Sequence, residues 1–354
     1  MLYQTKNQHG GDVYGGGITL DFSANTNPLG TPPGVLEAVR RGLPQLHRYP
    51  DPYCRRLVQA IAGHEQVPAS YILCGNGAAD LIYTYCAALR PRTAVELAPT
   101  FVEYGAGLAQ VGCRVERYFL HQAQNFDLDE RFLSFLEEKK PEVVFLCNPN
   151  NPTGRLIPLP LLEQILQGCA AWGARVFLDE CFLDLTEDGV SAKSLLTAHP
   201  ELLILKAFTK SYGMAGIRLG YCLCADSALL HRMASASPPW NVSSPAQSAG
   251  VAALAERDFL QRTLSLVHTE RRWLTDNLTA LGFWVCPSHA NYLLFRGPLG
   301  LREGLLQQGI AIRGCGNYNG LGDGWYRIAV RPHGENEALI TAIRQFCKEK
   351  SLWQ

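Results

Sequence analysis

From residue 54 onward, short apolar runs alternate with amphipathic stretches. Arg55 to His64 carries its apolar residues at helical spacing, and Tyr71 to Cys74 is a short apolar run ended by Gly75-Asn76-Gly77. Residues 78–89 then predict a helix, Ala94 to Ala98 a strand stopped by Pro99, residues 101–111 a helix and Cys113 to Leu120 a strand. Val143 to Cys147 reads as a buried strand ended by Asn148-Pro149-Asn150-Asn151-Pro152-Thr153-Gly154. Leu161 to Trp172 is helical in pattern. Arg175 to Leu178 is a strand running into Asp179-Glu180, and Leu202–Leu205 and Leu219–Cys224 are further strands. Strands alternating with helices at this spacing predict an α/β fold: a mostly parallel sheet covered by helices on both faces.

The pattern changes near residue 236. A loop from Ser237 to Pro245 precedes two long helical stretches, about 246–255 and 257–281. Strands follow at Trp284–Cys286, Asn291–Phe295, Ile310–Arg313 and Tyr326–Val330, with helices near 299–308 and 335–348. This predicts a second, smaller α+β domain. The first 30 residues show no clear period and read as an arm. The expected organisation is an arm over 1–35 that belongs to the small domain, a large domain over 36–255, and the small domain proper over 256–354. Internal repeats and low-complexity tracts are not seen.

Composition narrows the function classes. Lys+Arg 32 against Asp+Glu 32 leaves a formal net charge of 0, with no basic stripe, so nucleic acid is not an expected partner. Hydrophobic residues at 47% and charged residues at 18% exclude a disordered chain. No apolar window is long enough for a membrane span, and the polar N-terminus shows no secretory h-region, which makes the cytoplasm the default. The 12 cysteines lie mostly in apolar runs without a CxxC pair, which favours buried reduced thiols over disulfides, with zinc as the weaker alternative and no metal expected.

Four motifs fall at strand C-terminal ends, where open α/β sheets bind ligands. Gly75-Asn76-Gly77-Ala78 reads either as an ordinary strand-to-helix turn or as an anion site at a helix N-terminus. The proline-rigidified loop through Asn151 either turns the chain or positions a polar group. Asp179-Glu180 puts two carboxylates at the end of an apolar strand, which is costly unless a cation or a protonated nitrogen meets them. Finally, Lys210 follows an apolar strand, with Arg218 eight residues on in glycine-rich surroundings. Alone it reads as a solvated helix-start residue; beside the other three motifs, as a Schiff-base lysine.

In this order the motifs resemble the fold-type I pyridoxal-phosphate enzymes, the aspartate aminotransferase superfamily, over the whole chain. The resemblance implies pyridoxal 5'-phosphate as cofactor and a homodimer with its active site at the subunit interface. Lys210 would carry the cofactor and move the proton at the substrate Cα, and Asp179 would hold the pyridinium nitrogen's proton. Asn151 would bond the ring 3'-oxygen and the substrate carboxylate, and Phe101 would stack on the ring. Asn76, Gly77, Ala78, Thr209 and Arg218 would hold the phosphate, joined by Tyr49 from the neighbouring subunit. Two positions depart from the family pattern. Phe182 stands where many members have a tyrosine on the 3'-oxygen, and Ala207 where many have Ser or Thr on the phosphate. The phosphate is therefore expected to lean on neighbours such as Lys206.

Within the superfamily, Arg48-Tyr49-Pro50 and the length resemble the histidinol-phosphate aminotransferase branch. His9-Gly10-Gly11-Asp12, the segment Leu20 to Gly30, Ala207 to Lys210 and Tyr326 to Arg331 resemble the threonine-phosphate decarboxylase branch of cobalamin biosynthesis. The second resemblance implies a phosphorylated amino acid as substrate, a carbon–carbon lyase reaction, and substrate contacts from His9, Gly10, Asn25, Asn151, Arg313 and Arg327. A substrate with a carboxylate and a phosphate suits two arginine anchors.

Overall fold

The computed structural model describes residues 9–350. Along the chain run β1 (Leu20–Asp21), β2 (Ile72–Gly75), β3 (Thr93–Ala98), β4 (Arg114–Phe119), β5 (Val143–Cys147), β6 (Arg175–Asp179), β7 (Leu202–Ala207), β8 (Gly220–Cys224), β9 (Trp284–Val285), β10 (Tyr292–Arg296), β11 (Ile310–Ala311), β12 (Arg313–Gly314) and β13 (Trp325–Ala329). Seven of them form one sheet in the order β2-β8-β7-β6-β5-β3-β4. The sheet is parallel except for β8, which runs against both β2 and β7. The reason lies in the connection. Residues 208–219 hold only a short helical turn, Phe208–Ser211, and a 3-10 turn, Ala215–Ile217, too little chain for the crossover helix that a parallel return requires.

β5, β7 and β8 are buried along their whole length, as strands covered on both faces must be. Successive side chains enter different cores. Val144, Leu146, Val176, Leu178, Leu202 and Ile204 pack in one cluster, and Val143, Phe145, Phe177, Leu203, Leu205 and Ala207 in another.

The C-terminal third builds an antiparallel sheet, β12-β13-β10-β9, over a third cluster that includes Leu274, Leu293, Phe295, Ile328, Ile340 and Phe346. The arm enters this unit. β1 pairs in parallel with β11, Leu20 opposite Ile310 and Asp21 opposite Ala311. Phe22 extends the tie on both sides: its N–H donates to Ala311 O and its carbonyl accepts from Ala329 N–H, each at 2.8 Å. The single strand predicted over Ile310–Arg313 is two, because β11 pairs with β1 while β12 pairs with β13. Helices Pro33–Gly42, Arg131–Lys139 and Ser227–Ala236 add to those read from the pattern.

No helix among the described residues is long and apolar enough to cross a membrane. The 12 cysteines form no disulfide among the described residues, and all but Cys113 are buried.

Candidate active site

The C-terminal ends of β2, β5, β6 and β7 bring the four motifs toward one place. Asp179 closes β6 and is 6% exposed. Burial pushes its carboxyl above the ordinary range, while hydrogen bonds from Cys181 and Tyr104 and the Lys210 ammonium pull it back. Cys181 N–H donates to Oδ1 at 2.8 Å, and the Tyr104 hydroxyl donates to Oδ2 at 2.6 Å. Tyr104 is fully buried in the helix Glu103–Gln110, its ring 5.6 Å from Phe101. Sequence reasoning missed it. Nothing in the local pattern marks it, since Phe101 precedes the helix and the bond to Asp179 joins residues far apart in sequence.

Lys210 sits in the turn Phe208–Ser211 directly after β7, half-buried, with Nζ 5.6 Å from the centre of the Phe182 ring. Burial lowers its ammonium to about 8, and the Arg327 and Arg218 guanidiniums push the same way. The arm braces this turn. Asn27 N–H donates to Lys210 O at 3.1 Å, and Asn27 Nδ2 donates to Ser211 O at 2.7 Å. Asn27 is a further residue without an assigned role in the sequence reading, although it lies in the segment that carried the resemblance.

The glycine turn opens a groove. Gly77 has φ +88° and precedes the helix Ala78–Leu89, whose N-terminus has no side-chain cap. A Cβ on Gly77 would lie 2.6 Å from Arg218 Nη2, and one on Gly220 would lie 2.8 Å from Ala78 N. The missing side chains let a guanidinium close on a helix N-terminus, a ready arrangement for an anion. Thr209 is buried beside Lys210; Asn76 is exposed and turns its N–H to Asp80 Oδ2 at 2.9 Å.

Lys206 does not join this groove. Its Nζ lies 3.0 Å from Glu65 and 2.9 Å from Asp184 in a buried cluster. Neighbours on a strand alternate faces, so Ala207 and Lys206 point to opposite sides of β7. The expectation that Lys206 would compensate for Ala207 at the phosphate is corrected on that ground. Tyr49 is 79% exposed, its ring 4.7 Å from that of Trp240, and in this chain it faces solvent.

Of the three asparagines in the loop after β5, only Asn151 bonds an arginine through its side chain among the described residues. Asn148 accepts from Ile157 N–H, and Asn150 bonds Thr153 in its own loop and Pro99 and Thr100 in the loop after β3. Asn151 Oδ1 accepts from Arg327 Nη1 at 2.5 Å, and Arg327 Nη2 donates to Ser23 O at 2.8 Å. Arg313 stands directly opposite Arg327 across the β12–β13 pair. Like charges in that register destabilise a sheet unless an anion lies between them. The Arg313 guanidinium lies 5.4 Å from the centre of the Tyr318 ring and donates to Gly314 O and to Asn317 Oδ1. Burial lowers its ionisation, as does Arg327.

Asn25 is 2% exposed, and neither of its amide atoms has a partner among the described residues; the same holds for Arg327 Nε. Buried polar atoms without protein partners are uncommon in folded proteins, and water, an ion or a ligand completes their bonding. A cleft of about 990 Å³ opens on the arm side, lined by His9, Gly10, Ser23, Arg313, Asn317 and Tyr326. His9 Nε2 meets Glu103 Oε1 at 2.7 Å, and its ring lies 5.9 Å from that of Phe101. Lys210, Asp179 and Arg327 are not in its lining.

The residues fit the pyridoxal phosphate that the resemblance implies. An amine brought toward neutrality, a buried carboxylate with fixed donors, and a glycine-opened helix N-terminus closed by an arginine match its aldehyde, ring nitrogen and phosphate.

Known proteins agree. The model of the aminotransferase class I and II family matches residues 18–346. The threonine-phosphate decarboxylase of Salmonella typhimurium is 40% identical over 92% of this chain and 90% of its own. A histidinol-phosphate aminotransferase from a Geobacillus species is 33% identical over 96% of this chain and 93% of its own. The crystal structure of the histidinol-phosphate aminotransferase from Clostridium acetobutylicum superposes with a TM-score of 0.87 at 28% identity, over 93% of this chain and 99% of that one. With the fold, the cofactor-fitting groups and a family model that spans nearly the whole sequence, the chain belongs to the aminotransferase class I and II family.

Proposed function

We propose that this protein is a pyridoxal-phosphate-dependent threonine-phosphate decarboxylase. It converts L-threonine O-3-phosphate into (R)-1-aminopropan-2-yl phosphate and CO₂, and the product serves cobalamin biosynthesis. The observation that carries the reading is Arg313 directly opposite Arg327 in the β12–β13 pair, with Arg313 and His9 of the arm lining one cleft. It is supported by the 40% identity to a decarboxylase of that name.

Pyridoxal phosphate supplies a sink for the electron pair left at Cα when a bond there breaks. The rest falls to this chain. Lys210 holds the cofactor, and its amine, lowered to about 8, exchanges protons near neutral pH. Asp179, fixed by Tyr104 and Cys181, keeps the ring nitrogen protonated. Phe101 covers the ring, and Gly77, Ala78, Thr209 and Arg218 take its phosphate, with Asn76 at the turn's edge. Asn151 bonds the ring 3'-oxygen and orients Arg327, which takes the substrate α-carboxylate. Arg313 and His9 take the substrate phosphate, with Gly10 and Asn25 completing the enclosure. Two separated anchors would fix rotation about the substrate Cα–N bond, so binding energy would select which bond at Cα breaks.

The active form is a homodimer in the cytoplasm. The exposure of Tyr49 supports the dimer, since in the family pattern that residue serves the partner's cofactor phosphate. Sedimentation of the active enzyme tests the dimer; a fully active monomer would refute it. Transamination of histidinol phosphate is the second reading, favoured by relatives such as the Geobacillus enzyme. A requirement for 2-oxoglutarate would move the assignment there.

A further inference from the structure

We propose that Glu103 is a positioning residue that acts through His9, latching the N-terminal arm over the substrate cleft. The inference rests on the reading of His9 as a substrate contact. Glu103 opens the helix that carries Tyr104, and its side chain is 16% exposed against 43% for His9. Both of its oxygens are used. Oε2 accepts from the Tyr83 hydroxyl at 2.6 Å, and Oε1 meets His9 Nε2 at 2.7 Å. Tyr83 belongs to the helix Ala78–Leu89 that begins at the phosphate groove. The carboxylate is thus anchored on the large-sheet side before the arm reaches it. The bond from His9 holds its carboxyl below the ordinary range, and the Tyr83 hydroxyl adds to this against burial.

The neighbouring residues seat the arm on the other side. A Cβ on Gly10 would fall 2.1 Å from Ser23 O, so only glycine permits this approach. Gly11 N–H donates to Ser23 Oγ at 2.8 Å, and Ser23 O is the carbonyl that accepts from Arg327. Residues 9–11 therefore bridge Glu103 on one wall to the Arg327 support on the other. With Nε2 committed to Glu103, the orientation of the ring is set, the arrangement by which carboxylates orient histidines elsewhere.

The test uses the holoenzyme and the variants Glu103→Ala, Tyr83→Phe, His9→Ala and Glu103→Ala/His9→Ala. Hydrogen exchange at the Gly11 amide is expected to quicken in Glu103→Ala and, to a smaller degree, in Tyr83→Phe, with cofactor absorbance unchanged. KM for L-threonine O-3-phosphate is expected to rise about tenfold in Glu103→Ala while kcat changes less than twofold, a shift of about 1.4 kcal/mol. In the His9→Ala background the second substitution is expected to add nothing. Equal effects of Glu103→Ala in both backgrounds, or unchanged exchange at Gly11, would overturn the latch. The exchange measurement needs no substrate. A wild-type KM in His9→Ala would instead remove the substrate role of His9 while the exchange result stood.

Discussion

Replacing Arg313 separates what the site needs for folding from what it needs for substrate. Arg313 and Arg327 are directly opposed across an antiparallel pair, and like charges so placed oppose folding by roughly 0.2–1 kcal/mol. Arg313→Gln removes that repulsion but gives up hydrogen bonds to Gly314 O and Asn317 Oδ1 and the contact with Tyr318. Such bonds contribute about 0.5–1.5 kcal/mol each, about 1–3 kcal/mol for the two, which outweighs the repulsion relieved, so free-enzyme stability is expected to fall by about 1–2 kcal/mol. Substrate binding has no such compensation. A hydrogen bond between charged partners contributes about 1.5–3 kcal/mol, which is about 10- to 150-fold in affinity. Steady-state kinetics with L-threonine O-3-phosphate are therefore expected to show KM raised by that factor, with kcat nearly unchanged. Urea unfolding of the free enzyme is expected to show a midpoint modestly below wild type, with the variant still fully folded in the absence of urea. Unchanged KM, or a collapse in stability that accounts for lost activity, would refute the reasoning.

Other perturbations probe the cofactor groups and the core beneath them. Lys210→Ala is expected to abolish turnover and borohydride trapping of the cofactor with circular dichroism unchanged. In wild-type apoenzyme the rate of cofactor capture is expected to rise with pH and level off above about 8, where the amine is neutral; levelling near 10.5 would remove the role of burial. The sign for stability follows: because the folded protein disfavours the ammonium, stability rises as pH passes from about 8 to 10.5. Gly77→Ala brings a Cβ to 2.6 Å from Arg218 Nη2 at φ +88°, so cofactor titration is expected to show affinity down about tenfold or more. Glu65 is held at about 2 chiefly by Lys206, with Tyr221 and Lys193 adding, against a large opposing effect of burial. Its contribution is complete above about 4.5 and is lost as pH falls toward 2. Glu65→Gln is expected to lower stability by about 3–5 kcal/mol at pH 7 and to flatten the acid limb of the stability curve.

The strand ends carrying Asp179 and Lys210 were readable from sequence because a charged residue closing a long apolar run is costly in a buried sheet unless a ligand or a counter-charge meets it. The direction of β8 was not readable. Leu219–Cys224 has the same apolar pattern whichever way it runs, and only the short connection through Lys210 sets it antiparallel. Lys206 was misread because its neighbour's place in the family pattern was carried over without the strand alternation that sends it to Glu65. Tyr104 and Glu103 escaped because their roles exist only in three dimensions, one beneath Asp179 and the other beside the arm. The opposition of Arg313 and Arg327 is a register fact, and their spacing in sequence shows that two arginines are present but not that they face each other.

The central claim is that the bond broken is between Cα and the carboxylate. The most direct measurement follows carboxyl-labelled L-threonine O-3-phosphate in a reaction without any keto acid. The account predicts that label leaves as CO₂ in step with (R)-1-aminopropan-2-yl phosphate over many turnovers, with the cofactor still an aldehyde at the end. Label retained in the organic product, with turnover only when 2-oxoglutarate is added, would contradict it.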